Sequence, residues 1–288
     1  MKNQILLPAL ILLIASMTFN ANARSGDQNK NVEEPIKGKT ILLVVGDENR
    51  TAVPGQGTGD IFIRNRLEKV LGHTVILGID SVSSGELYTA AEKADLVIVS
   101  ESTTSMLLRN KLKSVTTPVI SYEAFIQDEM GLTAIDRPGD PGEPEDFNYG
   151  VRKLDTGIDI IMPDNPLAAG LKGHVTVYKV PREVTWGKVG KGAKVIATLT
   201  GKKEAATIYV YNKGAELFDG TIAAGMRIGF FIEEENITGT SNFMTEDGLR
   251  LFDAAVKFAL GMDTALLLTR STLRDIQNEE VYSLPRYW

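Results

Sequence analysis

Asp95-Leu96-Val97-Ile98-Val99-Ser100 is the stretch on which the fold class turns. Its four central residues are all apolar, three of them are β-branched, and no polar residue alternates with them. A strand of that kind is buried on both faces, which is the condition of a parallel sheet covered by helices. Similar runs stand on either side of it: Thr40–Val45 (Thr-Ile-Leu-Leu-Val-Val), Val75–Ile79 and Pro118–Ser121. The intervals between them carry helical patterns. Ile61, Ile63, Leu67, Val70 and Leu71 recur at near-helical spacing behind a Thr58 or Asp60 cap. Leu87, Ala90 and Ala91 mark a helix that begins at Ser83 or Ser84, and Met106–Leu112 reads as a third. Strand and helix thus alternate four times. The pattern predicts an α/β fold built on a mostly parallel sheet with helices on both faces.

The second half has a different rhythm. Short runs of strand type lie close together at Asp159–Met162, Val175–Val180, Lys194–Leu199, Ala206–Tyr211 and Arg227–Ile232, separated by turn signals such as Gly190-Lys191-Gly192 and Gly201-Lys202-Lys203. This spacing predicts antiparallel strands that extend or flank the parallel sheet. Pro166 precedes a short helix at Leu167–Ala169. Thr245 caps a longer one, with Glu246 and Asp247 in its first turn, the stripe Leu249, Phe252, Val256 and Ala259, and a stop at Gly261. Asp136–Tyr149, rich in Pro, Gly and acids, reads as a long loop. The extension 263–288 has room for one more helix through Leu266–Ile276.

The first 23 residues read as an address. Lys2 is the only charge before Arg24, Ile5–Phe19 is mostly apolar, and Ala21-Asn22-Ala23 is a small-x-small cleavage signature. This is the plan of a secretory signal peptide, cleaved near Ala23. The apolar run is shorter than the roughly 20 residues of a membrane span. The expected organisation is therefore a signal peptide over 1–23, a polar flexible leader over 24–38, one α/β domain over 39–262 and the extension 263–288, exported to the periplasm or secreted, with no membrane span in the mature chain. Composition narrows the classes further. The chain has no cysteine, so disulfide frameworks, thiolate metal sites and cysteine nucleophiles are excluded. A net charge of −6 over 288 residues argues against a nucleic-acid partner.

At this point the residues resemble a known family. The Leu42-Leu43-Val44-Val45 strand, the Leu71-Gly72-His73-Thr74-Val75 turn, Asp95–Ser102, Pro118–Glu123, Asn165–Leu171, Arg227–Phe231 and Asp247–Ala255 together resemble the ThuA-like branch of the class I glutamine-amidotransferase-like family, of the exported bacterial type. The resemblance spans about Lys39–Gly261. It implies a flavodoxin-like, class I amidotransferase-like sheet and a carbohydrate-related setting. Active amidotransferases of this class carry a Cys on the turn after a central strand, with a His and a Glu elsewhere. The corresponding turn here is Ser100-Glu101-Ser102. With no Cys, and with only His73 and His174, glutamine amidotransferase activity is excluded; the branch generally lacks the triad.

Ligands of open α/β sheets bind beyond the carboxyl ends of the parallel strands. That rule collects Asp47 and Glu48 after the first strand, Asp80 after the second, Ser100, Glu101 and Ser102 after the third, and Tyr122 and Glu123 after the fourth. Converging acids suit a polyol, a cation or an acid/base pair, and acids near helix starts are equally favoured by the helix dipole alone. Ser100 and Ser102 lack the Gly-x-Ser-x-Gly elbow and a placed base, which argues against a serine nucleophile. Gly55–Asp60 matches no phosphate-binding loop. Glu233-Glu234-Glu235 reads as a solvated turn rather than a cation site, and Tyr178 and Trp186 as packing residues rather than sugar-stacking ones. The sequence calls for no cofactor and no catalytic or metal residues. Two readings follow: an exported, non-catalytic ligand-binding or interaction module whose partner is a carbohydrate or an extracytoplasmic protein, and a carbohydrate-related enzyme using carboxylates at the sheet edge.

Overall fold

In a computed structural model of the chain, residues 38–46, 58–135, 144, 146–235 and 239–262 are described. The signal peptide, nearly all of the leader, Asp47, Glu48, most of the loop 136–149 and the extension 263–288 lie outside them.

Five strands form the parallel part of one mixed eleven-stranded sheet, in the order β2 (Thr74–Ile79), β1 (Thr40–Val45), β3 (Leu96–Val99), β4 (Val119–Ser121) and β11 (Arg227–Gly229). Six more strands continue it antiparallel: β5 (Tyr149–Asp155), β6 (Gly157–Ile160), β7 (Gly173–Thr176), β8 (Arg182–Gly187), β9 (Lys194–Leu199) and β10 (Lys202–Tyr211). Alternate side chains of a strand point to opposite faces, and β1 divides its residues accordingly. Ile41, Leu43 and Val45 join one core with Ile63 and Leu67, while Leu42 and Val44 join another with Leu87 and Ala91.

Few helices cover this sheet. On the first face lie α1 (Thr58–Asn65), continued by a π-helical turn Arg66–Val70, and α4 (Glu246–Ala259). On the second lie α2 (Ser84–Glu92) and the one-turn α3 (Ser105–Leu108). Ser83 closes a reciprocal capping box with Glu86 at the start of α2, and Thr245 Oγ1 accepts the Gly248 N–H at the start of α4. Burial of Leu251, Phe252 and Val256 on α4 stabilises the fold by about 1.5–3 kcal/mol for each side chain. Gly261, at φ 66, ends the helix in the left-handed conformation that glycine tolerates. Among the described residues no helix is long and apolar enough to cross a membrane.

Three expectations change. The helix over Met106–Leu112 stops at Leu108, because the backbone leaves the helical region at Arg109 (φ 49); a series of turns then brings Leu112 and Val115 into the same core as Leu108. Asp60 does not cap α1 but sits inside its first turn. The pair β5 and β8 was not expected from sequence, and β11 joins the parallel strands by pairing with β4.

Candidate functional site

The chain runs from β1 to β2 on one side and then returns to β3 on the other. The crevice beyond the carboxyl ends of β1 and β3 is thus a topological switch point, where ligands of such sheets bind. In this protein the crevice is filled by its own chain. The Ser100–Ser102 turn lies so close to Gly46 that a Cβ on Gly46 would stand 2.3 Å from the Ser102 carbonyl oxygen. The Gly46 N–H donates to Ser102 Oγ at 3.2 Å. Ser100 Oγ donates to Asp60 Oδ1 at 2.6 Å and accepts the Ser102 N–H at 3.1 Å. Both serines are fully buried.

Around this turn stand acids from three parts of the chain: Asp60 of α1, Glu123 after β4, and Glu233 and Glu235 after β11. Glu123 Oε1 accepts the Phe125 N–H at 2.9 Å, capping the 3-10 turn Ala124–Ile126, while Oε2 lies 3.4 Å from the Thr103 hydroxyl. Glu233 meets the Thr185 hydroxyl of β8, which also donates to the Ile232 carbonyl at 2.8 Å. Glu235 accepts the Ser241 N–H at 2.9 Å and meets the Ser241 hydroxyl at 3.0 Å. Gly59 makes that approach possible, since a Cβ there would fall 1.3 Å from Glu235 Oε2. Glu234, at φ 59, reverses the chain between the two buried glutamates.

Among the described residues, Asp60, Glu233 and Glu235 have hydroxyl and backbone partners where a buried carboxylate would ordinarily need a cation. Desolvation by burial raises the Asp60 carboxyl and pushes Glu233 and Glu235 well above the usual carboxylate range; Glu101 and Glu123 raise Glu233 further by their charge, and Asp60 and Glu101 raise Glu235. Thr185 has one hydroxyl proton. It goes either to the Glu233 carboxyl, which favours the charged form, or to the Ile232 carbonyl, in which case a protonated Glu233 supplies the other hydrogen bond. Tyr122 is buried beside Glu235, Asp60 and Glu101, and burial also holds its phenol protonated. Asp60 Oδ2 and Tyr122 Oη make no well-formed hydrogen bond within the group.

The structure therefore brings together Ser100, Glu101, Ser102, Tyr122 and Glu123, as expected from the strand ends. Asp47 and Glu48 lie outside the described residues. Asp80 is buried at the end of β2, where it accepts the Thr104 N–H at 2.6 Å. Sequence reasoning missed Glu233 and Glu235 as members of the group: the expected solvated turn is instead buried, because Thr185 and Ser241 receive its acids. Asp60 was considered only as a cap. Trp186 and Tyr178 are fully buried packing residues. His73 precedes β2 at the opposite end of the sheet, and His174 sits on β7 paired with Asp159. Among the described residues no group of three or more His, Asp or Glu is arranged to hold a metal ion.

No protein-family model matches the sequence, and no curated protein matches it in sequence. Among solved structures, the chain is similar to a protein from Bacteroides uniformis described as ThuA-like, with 10% identity over 77% of this chain and 91% of that one, at a TM-score of 0.43.

Proposed function

We propose that the chain is an exported, non-catalytic ligand-binding module built on a ThuA-like form of the class I amidotransferase-like fold, without the Cys-His-Glu triad. The observation that carries this reading is the state of the nucleophile turn. Ser100 and Ser102 are fully buried, and each has its hydroxyl committed to fastening the crevice, to Asp60 and to the Gly46 N–H. A nucleophile needs an accessible oxygen and a base within hydrogen-bond reach. Neither histidine is near the turn. Glu101, on the same turn and only partly buried, is the acid of the group that a hydroxyl-bearing ligand could reach from solvent.

A second reading, a carbohydrate-related enzyme, draws on the displaced carboxyls of Asp60, Glu233 and Glu235, since shifted acids cluster at catalytic sites. The two readings separate in one set of experiments. Thermal unfolding is measured against divalent cations, monosaccharides and short glycans, with the same glycans assayed for turnover. A ligand at 100 times its Kd adds about 2.7 kcal/mol of stability. The module reading expects such a shift, lost in Glu101→Ala and Glu123→Ala, with no turnover and no labelling of Ser100 by a serine-directed fluorophosphonate. Turnover, or labelling at Ser100, would contradict it. Export is tested by the N-terminus of the secreted protein, expected at Arg24.

A further inference from the structure

The sheet ends at β2, and among the described residues one face of that strand lacks a covering layer. α2 leaves β2 for β3, which lies beyond β1, so the helix crosses over β1. Its Leu87 reaches Gly78, near the end of β2, together with Leu42 and Val44. Lower on the same strand Ile76 remains 53% exposed. Between it and α2 opens a groove of about 700 Å³, with Leu42, Ile76, Ala90 and Ala94 as an apolar floor and Glu86 and Lys93 on its rim. An uncovered apolar trough beside an edge strand is a place where another element packs.

The chain itself supplies a candidate at the same corner. α4 ends at Ala259, and the described residues run on to Met262. Lys257, in the last turn of α4, lies within electrostatic reach of His73, which directly precedes β2. His73 Nδ1 accepts the Lys39 N–H, Lys39 pairs with Asp95, and Asp95 adjoins Ala94 on the groove floor. α4 and the groove lie on opposite faces of the sheet, so the chain beyond Met262 must round the sheet edge to reach it, and residues 263–265, extended, cover about 10 Å of that path. Beyond them the spacing predicts a helix whose stripe holds Leu266, Leu273 and Ile276, with Arg270 and Arg274 beside it on the flank that would face an acidic rim residue such as Glu86.

We propose that the C-terminal segment of this chain, Leu266 to Ile276, docks its apolar stripe into the groove between Ile76 and α2 and completes the layer over the sheet edge. The natural protein has no cysteine, so introduced thiols report without interference. In full-length protein carrying Ile76→Cys, thiol modification should be slower by at least about tenfold than in the same protein carrying also Leu266→Asp and Leu273→Asp. Full-length protein with Ile76→Cys and Leu273→Cys should close an intrachain disulfide on mild oxidation, with a yield independent of protein concentration. Near-ultraviolet circular dichroism checks that each variant is folded, and the disulfide experiment stands even if the Asp variant is not. Equal modification rates without an intrachain disulfide would overturn the proposal. So would an interchain disulfide whose yield rises with concentration, which would assign the groove to a second copy.

Discussion

Toward the amino ends of the parallel strands, acids meet cations. Asp253 of α4 receives Arg66 in a two-pronged pair at 2.7 and 2.8 Å, nearly free of solvent, and Asp95 holds the Thr40 N–H and the Lys39 ammonium at the surface. At the carboxyl ends, Asp60, Glu233 and Glu235 are as deeply buried, but their partners among the described residues are Ser100, Thr185 and Ser241. A buried carboxylate with a guanidinium stays charged and pays its desolvation through the pair. A buried carboxyl among hydroxyls takes up a proton and behaves as a neutral hydrogen-bonding group. One end of the sheet is therefore held by ion pairs and the other by acids whose burial favours the protonated form, and substitutions and pH should tell the two apart.

The largest effect is expected at the charged end. Arg66→Ala leaves Asp253 buried without its partner and should cost about 3–5 kcal/mol in urea unfolding. Asp253→Asn removes the same charge pairing and should approach that figure. Glu235→Ala strands the Ser241 N–H and hydroxyl, for a loss of about 1–3 kcal/mol. Glu235→Gln is the sharper test, because an amide reproduces the shape and the donor–acceptor pattern of a protonated acid. It should cost less than about 1 kcal/mol, where Asp253→Asn at the other end does not. Smallest of all, Lys39→Ala breaks an exposed pair and should change stability by about 0–1 kcal/mol, an effect that vanishes at high salt.

The parts of this architecture that were legible in the sequence are those set by local pattern. Thr40–Val45 and Lys194–Leu199 are strands with the expected ends, since Ile41–Val45 is uninterruptedly apolar and Val195–Leu199 is broken only by the β-branched Thr198. Thr245 is an N-cap because its first turn carries the right acids and an apolar stripe follows. Leu108 and Leu112 are spaced as on a helix, yet a turn at Arg109 serves the same burial, and spacing alone does not distinguish the two. β5 and β8 were missed because Arg152, Lys153 and Arg182 interrupt their apolar residues; the strands exist by pairing with each other. At the site, the strand-end rule gathered Ser100–Ser102, Tyr122 and Glu123. It passed over Glu233 and Glu235, since three adjacent glutamates resemble a surface turn until Thr185 and Gly59 arrive from distant parts of the chain. The partner of Asp60 is 40 residues away, so no local signal marks it as buried.

The two ends also carry opposite pH dependence. Asp95, held below the usual range chiefly by the Thr40 N–H, contributes stability that is present above its ordinary 3.8 and is lost as pH falls. Glu233 and Glu235 are raised from an ordinary 4.5, so the folded state binds more protons than the unfolded one, and stability is lost as pH rises from there toward the folded values. The most direct test of the account is urea unfolding of the natural protein and of Glu235→Gln at intervals from about pH 5 to about pH 9. Subtracting one profile from the other cancels His73, whose lowered imidazole acts in the opposite sense. The account predicts that the natural protein loses stability relative to Glu235→Gln as the pH rises. Parallel profiles, or a natural protein that gains on the variant with rising pH, would mean that Glu235 is buried as a charge and would contradict it.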